Sequence, residues 1–218
     1  MPTGIRTAIS NRFIREGRAM GFTDSVSLHG RHVSLVPLTA SHHDDLVEAV
    51  KDGELWELWY TSVPAPDGVR AEIDRRLGLQ ERGSMIPFAV IDEPTGQAVG
   101  MTTFMNIDAV NRHVEIGSTW YRKRVQRSAL NTECKLLLLT HAFERLNCIA
   151  VEFRTHFFNH QSRAAIERLG AKLDGILRQH QIGRNGTVRD TCAYSILDCE
   201  WPTVKMHLTH RLERQGPV

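Results

Sequence analysis

The hydrophobic and polar positions of this sequence follow two periods, which predict strands and helices in a mixed order. Segments in which apolar residues alternate with polar ones, or that are rich in β-branched and aromatic residues, predict strands. These segments are 32–38, 86–92, 97–108, 113–121, 148–156, 172–182 and 188–197. Segments with apolar residues three and four positions apart predict helices. These are 41–58, 69–82, a stretch ending near residue 146, 159–169 and a short terminal helix at 200–214.

Residues with capping preferences mark the ends of several predicted helices. Ser41 and Asn159 stand where they can cap helices, and Thr132 can cap the helix that ends near residue 146. Gly83 and Gly170 follow predicted helices, at the position where glycine commonly ends a helix.

The order of the predicted elements indicates the fold class. Short turns join the three strands between residues 86 and 121, which predicts an antiparallel meander. The full order is β, α, α, β, β, β, α, β, α, β, β, which predicts an α+β fold with helices on both faces of a sheet. Residues 1–26 lack a clear period and are predicted to form a loosely packed or mobile tail. Residues 27–205 are predicted to form one domain, and 206–218 a helical tail.

The composition suits one folded domain and argues against several classes of protein. The chain has 218 residues, 41% of them hydrophobic and 24% charged, which is enough for a sizeable core. Its formal net charge of +2, without a basic stripe, argues against binding to nucleic acid. No apolar run is long enough to span a bilayer, and no apolar segment follows the basic residues near the N-terminus. We therefore expect a cytoplasmic protein that binds neither nucleic acid nor membrane.

The cysteines and histidines do not predict a metal site. The four cysteines lack CxxC spacing, and three of them lie in predicted core elements, so we expect reduced thiols. The eleven histidines include no HExxH arrangement. We expect that the protein binds no metal.

The segment VQRSALN (125–131) raises the question of an anion site. Gln126, Arg127 and Ser128 precede a buried helix marked by four consecutive leucines, and a helix N-terminus attracts anions. Phosphate-binding loops are usually rich in glycine, however, and this segment has none. Taken alone, the segment favours an ordinary strand-to-helix turn, and an anion site stays the alternative.

Five segments together resemble the GNAT acyltransferase superfamily. They are LHGRHVSLVPL (28–38), HVEIGSTWY (113–121), NTECKLLLLTHAFERL (131–146), NHQSRAAIERLGA (159–171) and RDTCAYSILDCEWPTVK (189–205). The sequence looks most similar to the RimJ/RimL-like branch, which acetylates protein N-termini and other amines. The resemblance covers about residues 28–205 and implies a GNAT-like mixed, mostly antiparallel central sheet with helices on both faces.

The resemblance also implies acetyl-CoA as the co-substrate. The pyrophosphate loop of the family has the pattern Q/R-x-x-G-x-G/A, and here Arg127 and Ala129 stand where glycines are common. Because such a loop acts through backbone N–H groups, the departure leaves an anion site open, and the resemblance turns the interpretation of VQRSALN towards one. The implied CoA-binding residues are Trp120, Tyr121, Gln126, Arg127, Ser128, Ala129, Leu130, Asn131, Asn159 and Ser162.

Glu115 and Ser162 are the predicted catalytic residues. Glu115 faces away from Val114 and Ile116 on its strand and is our candidate general base, the alternative being a solvated carboxylate. Many members of the family carry a tyrosine as the acid at the position of Ile166, which cannot donate a proton. Ser162 matches a serine of RimL-like members and is the candidate donor to the departing sulfur.

An aromatic cluster is the candidate wall of the acceptor pocket. Trp56, Trp59 and Tyr60 are predicted to bind the acceptor together with Glu115, and the alternative is that they belong to the core. Tyr194 is interpreted as a core residue rather than a catalytic one. Arg189 and Asp190 are interpreted as a structural ion pair without a chemical role.

The sequence therefore predicts an enzyme, an N-acyltransferase that moves an acetyl group from acetyl-CoA to a primary amine by direct attack. The acceptor is either a protein N-terminus or a small-molecule amine. Two other hypotheses stay open, namely a non-catalytic CoA-binding or regulatory module of the same fold, and an interaction protein that uses the aromatic cluster for docking. A homodimer is a further expectation that the resemblance leaves open.

Overall fold

A computed structural model of the protein describes residues 21–183 and 186–214. Its centre is an eight-stranded sheet with the strand order β1-β2-β3-β4-β5-β6-β8-β7. Strands β5 and β6 are parallel, and the other neighbouring strands are antiparallel. The strands are β1 (Leu28–His29), β2 (Val33–Pro37), β3 (Met85–Asp92), β4 (Gln97–Asp108), β5 (His113–Tyr121), β6 (Ala150–His156), β7 (Lys172–Ile182) and β8 (Val188–Leu197).

Helices cover both faces of this sheet because successive strand residues point to opposite sides. The helices are α1 (His43–Lys51), α2 (Val69–Glu81), α3 (Ala129–Glu144), α4 (His160–Glu167) and α5 (Trp201–Arg214). On one face, α3, α4 and α5 form a core with strand residues such as Phe88 and Phe104. On the other face, α1 and α2 pack on Ala89 and Met101 of the same two strands. The predicted fold class is confirmed.

The predicted helix over 41–58 is shorter than its apolar spacing suggested. The α-helix ends at Lys51, because Gly53 and Glu54 have φ angles of 103° and 47°. That left-handed backbone is incompatible with a continuing right-handed helix. A separate 3-10 turn follows at Leu55–Glu57. Ser41 does not cap α1, since it lies inside a 3-10 turn whose first residue follows Thr39.

The third helix begins earlier than Thr132. Ser128 is its N-cap, and the Ser128 hydroxyl group accepts a hydrogen bond from the N–H of Leu130 (3.3 Å). Thr132 lies within the helix and is buried. By contrast, Asn159 caps α4 as predicted, since its Oδ1 accepts a hydrogen bond from the Ser162 N–H (3.0 Å).

The C-terminal helix continues through the predicted boundary at residue 205. Leu208 of α5 is fully buried in the same core as α3. At the other end of the chain, Phe22 and Val26 pack against this core. The predicted tails also include residues 1–20 and 215–218, and the predicted turn GRNG includes 184–185, all outside the described residues. The division into tail, domain and tail stays a prediction.

Candidate active site

The sheet opens between its two parallel strands. Strands β5 and β6 pair over three residues, the last pair being Glu115 and Glu152. Beyond this pair β5 continues to Tyr121 and β6 to His156 without pairing to each other. Among the described residues, one edge of β5 over 116–121 therefore has no strand partner, and its backbone groups face the opening. Such an edge can bind an extended ligand that carries amide groups.

A β-bulge lies in this unpaired part of β5. Met101 of β4 is opposite Trp120, and Thr103 is opposite Gly117, so Ser118 and Thr119 together face the single residue Thr102. Ser118 has a φ of 48°, in the left-handed region. A bulge of this kind bends the strand and redirects its peptide groups.

The segment after β5 is held by the carboxylate of Asp52, a residue distant from it in sequence. Asp52 follows α1, and its Oδ2 accepts hydrogen bonds from Arg122 Nε (3.2 Å) and from the N–H of Arg124 (3.1 Å). The backbone carbonyl of Asp52 accepts a third bond from the N–H of Lys123 (3.0 Å). This network fixes the path of the chain into VQRSALN.

The VQRSALN loop leaves backbone donors free at the start of α3. Arg127 has a φ of 62°, a conformation that normally favours glycine, and it stands at a position where the family loop has glycine. Among the hydrogen bonds of the described residues, none involves the N–H groups of Arg127, Ser128 or Ala129. Three consecutive free donors at a helix N-terminus fit an anionic group such as a pyrophosphate.

Several predicted CoA-binding residues have buried side chains, so only their backbones are available to a ligand. Trp120 and Tyr121 lie in the cores on opposite faces of the sheet, and the Tyr121 hydroxyl group contacts Cys134 Sγ at 3.2 Å. Leu130 is also part of the core, and its N–H is already engaged by Ser128. Asn131 is half-buried in the first turn of α3.

The start of α4 lies beside the loop. Gln126 Nε2 donates to the carbonyl oxygen of Tyr121 (2.9 Å), and Gln126 Oε1 accepts from Gln161 Nε2 (3.4 Å). Ser162 is half-buried one residue further along α4. Asn159 uses its side-chain oxygen for the cap, and within the described residues the Ser162 hydroxyl group has no hydrogen-bond partner. Its hydroxyl group is therefore available to a ligand.

Glu115 is the last residue of β5 that still pairs with β6, and it is buried with 5% exposure. Asn106 Nδ2 donates to Glu115 Oε2 (2.7 Å), and Arg154 Nε lies 3.6 Å from the same oxygen. Burial raises the pKa of the Glu115 carboxyl group above its ordinary value and outweighs the opposing effects of Asn106 and Arg154. A carboxylate with a raised pKa at the point where two strands part suits a general base.

Space in front of Glu115 depends on a glycine. A Cβ atom on Gly117 would lie 3.0 Å from Glu115 Oε1 and 2.8 Å from Met105 Sδ. Both distances are too short for an ordinary contact, so any other residue at this position would press on the carboxylate. Glycine at position 117 therefore leaves the Glu115 carboxylate the room that it occupies.

The three residues of the predicted aromatic cluster do not all lie together in the structure. Trp56 packs against the core formed by α1 and α2. Trp59 is 56% exposed, and its ring lies 5.5 Å from that of Tyr60 and 5.0 Å from that of His156. Phe158, 55% exposed, adds a further ring 6.0 Å from Trp59. We call Trp59, Tyr60, His156 and Phe158 the aromatic wall. It lies at the C-terminal end of β6.

Tyr194 is fully buried, in line with its interpretation as a core residue, and its hydroxyl group bonds Glu167 and Arg163. The predicted pair of Arg189 with Asp190 is wrong. Neighbouring residues of a strand point to opposite faces, and Asp190 pairs instead with Arg178 across the hairpin (2.8 Å). Ile166 is a buried core residue.

The described residues contain no group of three His, Cys, Asp or Glu side chains arranged to hold a metal ion. His156 and His160 are four residues apart, but one ends a strand and the other begins α4. Cys134, Cys148 and Cys192 are buried free thiols, and Cys199 is an exposed one.

None of the helices in the described part of the chain is long and apolar enough to cross a bilayer.

Sequence reasoning missed several residues that surround the site. Asn106 and Arg154 are polar residues in strand segments and carry no local signal, since only the sheet register brings them to Glu115. Arg76 and Lys135 lie on predicted helices, where charged residues are usually solvated, yet both are buried beside the bulge. For Lys135 the sequence did carry a signal, since this charged residue directly precedes the four consecutive leucines of the third helix.

Comparison with known proteins identifies the family. Residues 32–172 match the acetyltransferase (GNAT) domain model, which is more than half of the chain. The chain therefore belongs to the GNAT acetyltransferase family, and its predicted kinship with that family is confirmed.

Individual relatives agree with this assignment. A GCN5-related N-acetyltransferase from Brucella melitensis has a similar structure, with 31% identity, a TM-score of 0.78 and coverage of 87% of this chain and 86% of that one. RimJ of Mycobacterium smegmatis, solved with CoA-disulfide, shares the fold at 19% identity, with a TM-score of 0.71 and coverage of 87% and 95%. YdaF of Bacillus subtilis (strain 168), named as a candidate ribosomal N-acetyltransferase, is 36% identical over 106 residues. That match spans 49% of this chain and 57% of YdaF.

Proposed function

We propose that this protein transfers an acetyl group from acetyl-CoA to a primary amine. The observation that carries the proposal is the opening between β5 and β6, which leads from the buried carboxylate of Glu115 to three free N–H groups at the start of α3. The free edge of β5 suits the amide-containing arm of CoA, and the free donors suit its pyrophosphate. Acetyl-CoA supplies the activated acyl group as a thioester.

The residues of this chain have distinct roles in a direct attack. Glu115 accepts a proton from the acceptor amine, either directly or through water, so that the neutral nitrogen attacks the carbonyl carbon. A backbone N–H of β5 stabilises the oxyanion that forms there. The new C–N bond replaces the C–S bond, and Ser162 donates a hydrogen bond to the departing sulfur. A thiolate is a tolerable leaving group, since a free thiol has a pKa of about 8.5.

A protein N-terminus is the acceptor that we favour over a small amine. The aromatic wall, with Trp59 and Phe158 exposed, lies at the end of β6, and from the same strand Arg154 pairs with Glu152 and lies 3.6 Å from Glu115. An α-amino group, with a pKa of about 8, also needs less help from a base than a lysine at about 10.4. The partial match to a protein named for ribosomal N-acetylation points the same way.

An acceptor screen tests this function directly. The purified protein would be incubated with acetyl-CoA and N-terminal peptides, the same peptides with a blocked N-terminus and an internal lysine, and a panel of small amines. We expect free thiol release and a mass gain of one acetyl group with the unblocked peptides. CoA binding without turnover on any amine would instead support the non-catalytic CoA-binding module, and no binding at all would refute the proposal.

A further inference from the structure

The bulge in β5 is held on the α2 face by a buried arginine. Arg76 is 2% exposed, and its Nη2 donates to the carbonyl oxygen of Ser118 (2.9 Å). Its Nη1 donates to Thr103 Oγ1 on β4 (2.8 Å), and its Nε donates to Glu72 Oε1 (2.7 Å). The guanidinium group thus joins both strands at the bulge and is paired with a carboxylate.

A buried lysine holds the same bulge on the α3 face. Lys135 is 7% exposed, and its Nζ donates to Thr119 Oγ1 (3.0 Å) and to Thr102 Oγ1 (3.4 Å). These two hydroxyl groups lie 2.8 Å from each other. Each of the two bulged residues, Ser118 and Thr119, is therefore held by one cation, and the cations come from opposite faces of the sheet.

Arg76 and Lys135 differ in whether a carboxylate lies beside them. Within the described residues, no carboxylate lies within ion-pair distance of Lys135, whereas Arg76 has Glu72. A buried ammonium group without a counter-charge costs free energy, and burial accordingly lowers the pKa of Lys135. The hydroxyl groups of Thr102 and Thr119 could satisfy each other without it. Fold stability alone therefore gives no reason for a cation at position 135.

The position of the bulge supplies such a reason. In a trans peptide the carbonyl and the N–H point in opposite directions, so the contact of Arg76 with the Ser118 carbonyl also fixes the N–H of Thr119. This peptide group belongs to the part of β5 that faces the opening. Fixed donors and positive charge stabilise an oxyanion most when they are buried and need no rearrangement.

We propose that Arg76 and Lys135 are positioning residues that clamp the β5 bulge from opposite faces and set the peptide group that receives the thioester oxygen. Lys135 also places its Nζ, which has no carboxylate partner among the described residues, beside that peptide group. This inference rests on the proposed function, because it assumes that the acyl group of acetyl-CoA lies at the bulge.

The test compares the wild-type protein with Lys135→Met. Methionine has nearly the same length and no charge, so the buried site stays filled. The probe is a dethia analogue of acetyl-CoA with a methylene group in place of sulfur and a ¹³C-labelled carbonyl group. It cannot transfer its acyl group, and its carbonyl stretching frequency in the infrared spectrum reports polarisation. The dissociation constant and the melting temperature would be measured alongside, with kcat on the best amine from the acceptor screen.

The clamp predicts a specific combination of results. The bound carbonyl group should have a lower frequency in the wild type than in water, and Lys135→Met should lose most of that difference. The dissociation constant should change by less than about twofold, the melting temperature should stay equal or rise, and kcat should fall about tenfold or more, as for loss of oxyanion stabilisation. Lys205→Met, on the surface of α5 and paired with Glu144, is the matched control that should leave all four quantities unchanged.

Three results would overturn the clamp. A wild-type frequency shift that Lys135→Met retains would show that the lysine does not act on the acyl site, even if the proposed function holds. A lower melting temperature with unchanged kcat per folded molecule would make Lys135 purely structural. If the Met variant fails to fold, Thr119→Val removes the hydroxyl group that Lys135 holds while keeping Lys135, and an unchanged carbonyl frequency in that variant would equally refute the clamp. Failure of the wild type to bind the analogue would refute the proposed function itself.

Discussion

The two strands that part at the centre of the sheet lead to helix N-termini that are built differently. On the β5 side, Ser128 caps α3, and the N–H groups of Arg127, Ser128 and Ala129 have no acceptor among the described residues. On the β6 side, Asn159 caps α4, and the N–H groups of His160 and Ser162 are already bonded. The comparison teaches that a helix N-terminus becomes an anion site only when its own cap leaves donors unused.

The largest effect should come from a charge placed among the free donors. Ala129→Glu brings a carboxylate against the pyrophosphate of CoA, and like charges placed together at an interface cost several kcal/mol. We expect the affinity for CoA, measured by calorimetry, to fall at least about 100-fold. Ala71→Glu, on the exposed side of α2, introduces the same charge away from the loop and should change affinity little. Equal affinities in the two variants would remove the loop from the site.

Replacement of Glu115 should lower the rate of catalysis without weakening CoA binding. Glu115 lies where β5 and β6 are still paired, and the proposed CoA contacts lie beyond that point. Glu115→Gln should lower kcat about 10²-fold or more, the usual contribution of a general base, with CoA affinity nearly unchanged. Since burial raises the pKa of Glu115, the wild-type kcat should fall as pH decreases through that raised pKa, and the variant should lack this dependence. The control is Glu48→Gln, which removes an exposed carboxylate of α1 away from the site. A pH–rate profile that Glu115→Gln leaves unaltered would show that another group accepts the proton.

On the β6 side, we expect replacement of the Ser162 side chain to lower kcat by a smaller factor. Ser162→Ala should lower kcat about tenfold, at or below the lower end of acid catalysis, because the leaving thiolate needs little help. Its melting temperature should hardly change, since the cap uses the Ser162 N–H and not its hydroxyl group. Asn159→Ala, in contrast, removes the cap itself and should cost about 0.5–2 kcal/mol of stability. A Ser162→Ala variant that is less stable but equally active would return Ser162 to a structural role.

The smallest effect concerns the strained residue of the loop. Arg127→Gly should raise the free energy of unfolding by up to about 1 kcal/mol, because a left-handed backbone costs a non-glycine residue roughly 1–2 kcal/mol and glycine recovers part of it. Arg127→Ala removes the same charge and keeps the strain. Both variants should weaken CoA binding modestly, by roughly 1–2 kcal/mol for one charged contact. Chemical denaturation and calorimetry of the pair would separate the two contributions, and equal stabilities would contradict the strain.

Most of the fold could be predicted from the sequence, because its patterns are local. The strands over 86–92 and 97–108 and the helix over 69–82 match β3, β4 and α2 within a residue. The predictions failed where the backbone left its regular path, as at Gly53 and Glu54, which end α1 early. Apolar spacing continues through such a point and therefore does not report it. The two-residue strand β1 was also missed, since so short a segment shows no period.

The candidate site was predicted less completely, for a related reason. Glu115, Ser162, Asn159 and the VQRSALN loop were found through resemblance to a family, and their roles are predictions that the variants above test. Trp56 and Trp59 are close in sequence, but only the structure separates one into the core and the other into the aromatic wall.

The element order, the apolar faces and the cap of α4 follow from local sequence, because each depends on residues within a few positions of one another. Three further features depend on the packed fold: which donors stay free at α3, how far β5 and β6 pair, and the meeting of Arg76 and Lys135 at one bulge from opposite faces. Arg76 and Lys135 are 59 positions apart in the chain, and no period or motif links them. Their meeting follows from strand register and helix packing, which depend on the whole core at once.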